Sequence, residues 1–127
     1  MKKLLCVTAL LLTANSYAAD SKNEWQGTTL SEATIEKIQT GQYDYKKCVS
    51  SEMQKSAYQS QESRQATDAI MKQCESVLSK MRELYLEEKV PEVVADRHLK
   101  QLRLQTTRSV LQEMMMQEAM RPSGQPK

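Results

Sequence analysis

Cys48 and Cys74 lie at equal sequence distance from Gln61, which sits in the one polar gap between two helical patterns. If the chain folds back there as two antiparallel helices, the two sulfurs arrive opposite each other, as a disulfide requires. The predicted chemistry is therefore oxidation of a thiol pair to one structural bridge. The other residue types capable of chemistry find no such company. His98 is the only histidine. A catalytic imidazole needs a nucleophile or carboxylate beside it, and a metal needs further ligands. His98 instead falls at the edge of a helix's inner face and is expected to be structural. Met114, Met115, Met116 and Met120 carry soft thioethers that suit Cu(I), but no neighbouring His or Cys completes a ligand set. They are read as an adaptable contact surface.

Glu83, Glu87, Glu88 and Glu92 flank a proline turn and read as a solvated cluster, because acid–base work needs burial or unequal environments. Ser63 has no base placed near it in sequence. There is no glycine-rich phosphate loop, CxxC redox pair or CxxCH haem signature. The expectation is a non-enzymatic protein with no catalytic residue, no metal and no cofactor.

A bridge implies an oxidising compartment, and the start of the chain points to one. Lys2 and Lys3 precede an apolar run from Leu4 to Thr13, and Ser16 and Ala18 supply small residues at −3 and −1 of a cut before Ala19. Residues 1–18 are read as a signal peptide cleaved after Ala18, which also removes Cys6. The expected destination is the periplasm, with secretion as the alternative. The 18 basic side chains less Lys2 and Lys3 leave 16 against 16 acidic ones, so the mature chain is neutral. Neutrality argues against nucleic acid as a partner, since phosphate binding needs excess positive charge. No later apolar stretch approaches a spanning length, so no stable membrane insertion of the mature chain is expected. With no Phe and a single Trp, the core must come from aliphatic residues, Met and a few Tyr, and a covalent staple suits so thin a core.

Three glycines and three prolines punctuate the chain. Residues 19–29 form a polar leader. The spacing predicts a short helix over 30–39, opened by Thr29 and Glu32 in capping-box spacing and stopped by Gly41. A second helix follows over 42–58, with Tyr45, Cys48, Val49, Met53 and Ala57 on one face. A third spans 62–88, with Ile70, Cys74, Val77, Met81 and Leu84 alternating steps of four and three. Lys89-Val90-Pro91 breaks the pattern, and a fourth helix runs over 92–120. Residues 121–127 read as a disordered tail. Folding about Gln61 and about Val90 brings almost every apolar residue against an apolar or small one. The fold class predicted for 30–120 is thus an all-α antiparallel bundle, three long helices and one short, stapled by Cys48–Cys74.

The fourth helix is apolar on two sides. At ~100° per residue, Ala95, Leu99, Leu102, Thr106 and Val110 face the bundle. Val93, Leu104, Leu111 and Met115 gather opposite, within about 40° of one another, bordered by Arg97, Lys100 and Arg108. A helix packed on one side only should be polar there. Three occupants are open: the first helix, through Leu30, Ile35 and Ile38 with Trp25; a second copy, as a homodimer; or a separate protein partner. Ten helical residues cover only about 15 Å, which leaves Leu111 and Met115 as the freer end. The candidate partner-binding residues are Leu104, Arg108, Leu111 and Met115.

The architecture is similar to that of acid-stress chaperones, toxin-neutralising immunity proteins and assembly accessory proteins, with no motif matched residue by residue. Helical periplasmic chaperones carry an LTxxQ motif that Leu104-Gln105-Thr106-Thr107 does not complete, so their function is not carried over. The expected role is an exported protein-binding module of inhibitor, immunity or accessory type. The alternatives are a chaperone-like binder of unfolded clients and a small-molecule or metal-binding bundle.

Overall fold

A computed structural model describes residues 30–122. The predicted signal peptide, the polar leader with Trp25, and the tail beyond Pro122 lie outside the described residues. Those described are all-α, without a strand: α1 (Glu32–Met53), α2 (Ser56–Gln59), α3 (Ser63–Gln73), α4 (Glu75–Glu87) and α5 (Glu92–Ala119).

Helix α1 starts on Ser31, whose Oγ accepts the Thr34 N–H at 3.1 Å. The hydroxyl satisfies one of the donors that every helix start leaves without an intrahelical partner. The break expected at Gly41 does not occur: α1 runs through it to Met53, short of the expected end at 58, and the short α2 follows, so the described residues form five helices where four are expected. A mid-helix glycine costs only about 1 kcal/mol relative to alanine, which packing can override. Thr34, Ile38, Tyr45 and Val49 form one continuous buried stripe across it. Gly41 serves close approach: a Cβ there would lie 3.1 Å from Met81 Cγ on α4. The third predicted helix, in contrast, divides at Cys74. Its φ of −97° and ψ of 4° leave the α-helical range, and one turn tightens to an N–H from Cys74 to the Met71 carbonyl at 3.3 Å.

The end of α4 is a Schellman turn. Lys89 takes the left-handed conformation at φ 63°, the Val90 N–H reaches the Tyr85 carbonyl at 2.9 Å, and the Lys89 N–H reaches Leu86 at 3.1 Å. Val90 is buried beneath it. Pro91 then caps α5, its carbonyl accepting from Val94 and Ala95.

Helix α1 packs on α4 and α3, and α5 packs on α3 and α4. The contacts between the helices follow two fold-back registers. Cys48 with Cys74, Thr34 with Glu88 and Gly41 with Met81 are each symmetric about Gln61. Arg82 with Asp96, Glu75 with Arg103 and Ser63 with Glu118 are symmetric, within a residue or so, about Val90. The core between these helices holds Ile38, Tyr45, Ile70, Met81, Tyr85 and Val110, all buried. Arg121, placed in the tail by sequence, is half-buried and donates to the Ser60 and Gln61 carbonyls, tying the end of α5 to the turn before α3.

One core group is out of balance. The Tyr45 hydroxyl is buried without a hydrogen-bond partner. Burial pushes it up to about 12, against the pull of Arg103 and with a smaller push from Glu75. An unsatisfied buried hydroxyl carries its desolvation cost with no return. Tyr45→Phe is expected to leave stability unchanged or raise it by about 1 kcal/mol in urea titration. A loss larger than that would show that the hydroxyl is bound, for instance by a buried water.

Candidate partner-binding surface

Helix α5 carries the candidate residues because its inner side is already committed. Ala95, Leu99, Leu102, Val110 and Met114 are buried and Thr106 is half-buried. Among the described residues, most of the opposite side is therefore free of the packing that holds the helix. Val93 is 77% exposed, Leu104 50% and Met115 55%. Arg108 is exposed and Leu111 is half-buried. Among the described residues the first helix, one of the three expected occupants, does not cover this side. Ile38 is wholly buried in the main core, and Leu30 packs against that same core.

The freer end also needs adjusting. Met115 stands clear, but Leu111 is partly sheltered, as are Thr107 and Glu118 on the same flank. The buried side of α5 drifts around the helix towards its C-terminus, so Leu111 moves from the outer face to its edge. Arg108, Leu111, Gln112, Met115, Met116 and Ala119 line a shallow apolar hollow there. Of the four clustered methionines, Met114 is core while Met115, Met116 and Met120 are exposed. The contact surface expected of all four therefore loses Met114, because four methionines so close together cannot be sorted into core and surface without the crossing partner.

The remaining chemistry-bearing residues have structural work. Cys48 and Cys74 Sγ atoms are 2.09 Å apart, with Cα atoms 6.0 Å apart. His98 is half-buried and its Nδ1 shares a hydrogen bond with the Tyr85 hydroxyl across α4 and α5. Their rings meet edge to face with centroids 5.6 Å apart. Sequence reasoning missed this pair, though the fold-back about Val90 places the two residues within one turn of each other.

Nor is the acidic cluster wholly solvated. Glu88 accepts from Thr34 at 2.8 Å and from Lys37, and these donors, Lys37 first, hold its carboxyl below the usual carboxylate value. Glu92 and Asp96 both pair with Arg82, and that guanidinium holds Asp96 below its usual value. Glu83 and Glu87 are exposed. No group of three His, Cys, Asp or Glu among the described residues is arranged to hold a metal ion. No helix among them is long and apolar enough to cross a membrane.

One further groove lies between α1 and α4, lined by Ala33, Gly41, Val77, Met81 and Leu84. Its lining comes from α1 and α4, with no residue of α5. No family model, curated protein or solved structure matches the chain.

Proposed function

We propose that the chain is an exported, non-enzymatic protein-binding module of inhibitor, immunity or accessory type, working in the periplasm and docking its partner on the outer face of α5. One observation carries the reading: Val93, Leu104 and Met115 hold an apolar line in water on a helix whose opposite side supplies the whole core contact. Single exposed apolar residues need no explanation, whereas a line of them along one helix face marks a contact surface. Leu104, Arg108 and Met115 would make the central contacts, with Leu111 at the edge. Apolar centres flanked by arginine are the usual composition of such contacts.

A chaperone-like role is the second reading, favoured by the exposure of Met115, Met116 and Met120, since flexible thioethers adapt to many shapes. The two readings separate by stoichiometry, one partner at a fixed ratio against broad suppression of client aggregation.

The test is Leu104→Asp combined with Met115→Asp. Both positions are exposed, so the double variant is expected to keep its helical spectrum and to lose about 1 kcal/mol of stability or less. In affinity capture from envelope extract, the unaltered protein should retain a partner at defined stoichiometry that the double variant loses. Identical capture by both proteins would refute the reading.

A further inference from the structure

Charge on the outer face of α5 is sorted by sign. Its residues recur every eleven positions: Val93, Leu104 and Met115; Arg97 and Arg108; Lys100 and Leu111. Eleven residues are close to three whole turns, so the line stays straight along about 33 Å of helix. Arg97, Lys100 and Arg108 are exposed and enter no ion pair among the described residues, unlike Arg82 and Arg103. Three of the four carboxylates of α5 lie off this line, and the fourth, Glu118, shares the flank of Leu111 but is already engaged. Glu92 and Asp96 are held by Arg82, Glu118 accepts the Ser63 N–H, and Glu113 takes Gln117 on another side of the helix. A domain of balanced charge thus carries one strip where three cations stand among apolar side chains, none of them in an ion pair among the described residues.

From this we infer that the partner is an acidic amphipathic helix, one that presents apolar side chains flanked by Asp or Glu and lies lengthwise against α5. The inference rests on the protein-binding reading above and adds the partner's chemistry. Unpaired cations at an apolar contact favour carboxylates opposite them and repel like charge, so they select the partner as well as attract it. The same charges disfavour a second copy of this chain. An antiparallel crossing at Leu104 sets Lys100 against Arg108 twice, and a parallel one sets each cation against itself. They also disfavour a lipid surface. A helix lying in a membrane interface separates an apolar face from a charged one, but here the cations interrupt the apolar line every few residues.

The experiment uses two synthetic helical peptides with the same leucine face, one flanked by Glu and one by Lys, and reads binding to the full chain by fluorescence anisotropy. Vesicles of anionic lipid are the third arm. The Glu peptide is expected to bind at least about tenfold more tightly than the Lys peptide, and to weaken as salt rises from 0.05 to 0.5 M. Combining Arg97→Glu, Lys100→Glu and Arg108→Glu should reverse the preference, with circular dichroism confirming that the variant stays folded. Equal binding of both peptides, lost in the Leu104→Asp and Met115→Asp variant, overturns the acidic partner and leaves the docking face standing. Binding that ignores those two aspartates overturns both. Recruitment to vesicles with no peptide binding overturns the inference in favour of a membrane surface.

Discussion

Reduction of the Cys48–Cys74 bond is expected to lower the stability of the domain by about 3.5 kcal/mol. The two residues are 26 apart in sequence, and in the chain-entropy picture the bridge stabilises by restricting a loop of that length in the unfolded chain. For a domain of this size, that loss corresponds to a fall of roughly 15–25 °C in melting temperature. Melting the oxidised protein with and without reductant measures it directly. The variant with Cys48→Ala and Cys74→Ala adds a second term, because Cys74 is wholly buried and its truncation leaves a small void. The double variant should therefore melt at or slightly below the reduced protein. A shift under about 5 °C would mean that the α1–α3 hairpin is as restricted without the bridge as with it, and the staple would lose its role.

Tyr85→Ala should cost about 3–5 kcal/mol, a large share of the roughly 5–15 kcal/mol that holds an ordinary domain together. Tyr85 is wholly buried on α4, and its hydroxyl reaches His98 on α5. Two contributions are lost together, the packed ring and the cross-helix hydrogen bond. Tyr85→Phe separates them. It keeps the ring, leaves His98 Nδ1 without this partner, and should cost about 1 kcal/mol. Urea titration of both variants in the oxidised state gives the two numbers. If Tyr85→Ala costs no more than Tyr85→Phe, the ring is not packed as described and the α4–α5 contact must be held elsewhere.

These two sites show what local sequence reveals and what it conceals. The Cys48–Cys74 pairing was legible because a fold-back about Gln61 is a matter of counting, and both sulfurs fall on the apolar stripes that the counting aligns. The Tyr85–His98 contact lies three residues off exact symmetry about Val90, and a lone histidine at the edge of a stripe gives no sign of which neighbour it meets. Gly41 was misread for a related reason. Glycine ends helices and also lets helices approach, and only the position of Met81 against it distinguishes the two. Arg121 looked like part of a tail because the carbonyls it binds, on Ser60 and Gln61, are distant in sequence.

On the candidate surface the division is similar. The two-sided character of α5 is a property of residue order at 3.6 per turn, so Val93, Leu104 and Met115 were separable from Leu99, Leu102 and Val110 before any packing was known. Which side stays in water depends on what else is close enough to cover it. That is decided by α1 packing against α4 and α3, a long-range outcome that no local pattern encodes. Helical class, the thiol pair and the two turns therefore belong to the sequence alone, since each follows from short-range periodicity and backbone chemistry. The continuity of α1, the half-burial of Leu111, the pairing of Arg82 with Asp96 and the exposure of the α5 strip were decided only in three dimensions, where neighbours remote in the chain compete for the same surface.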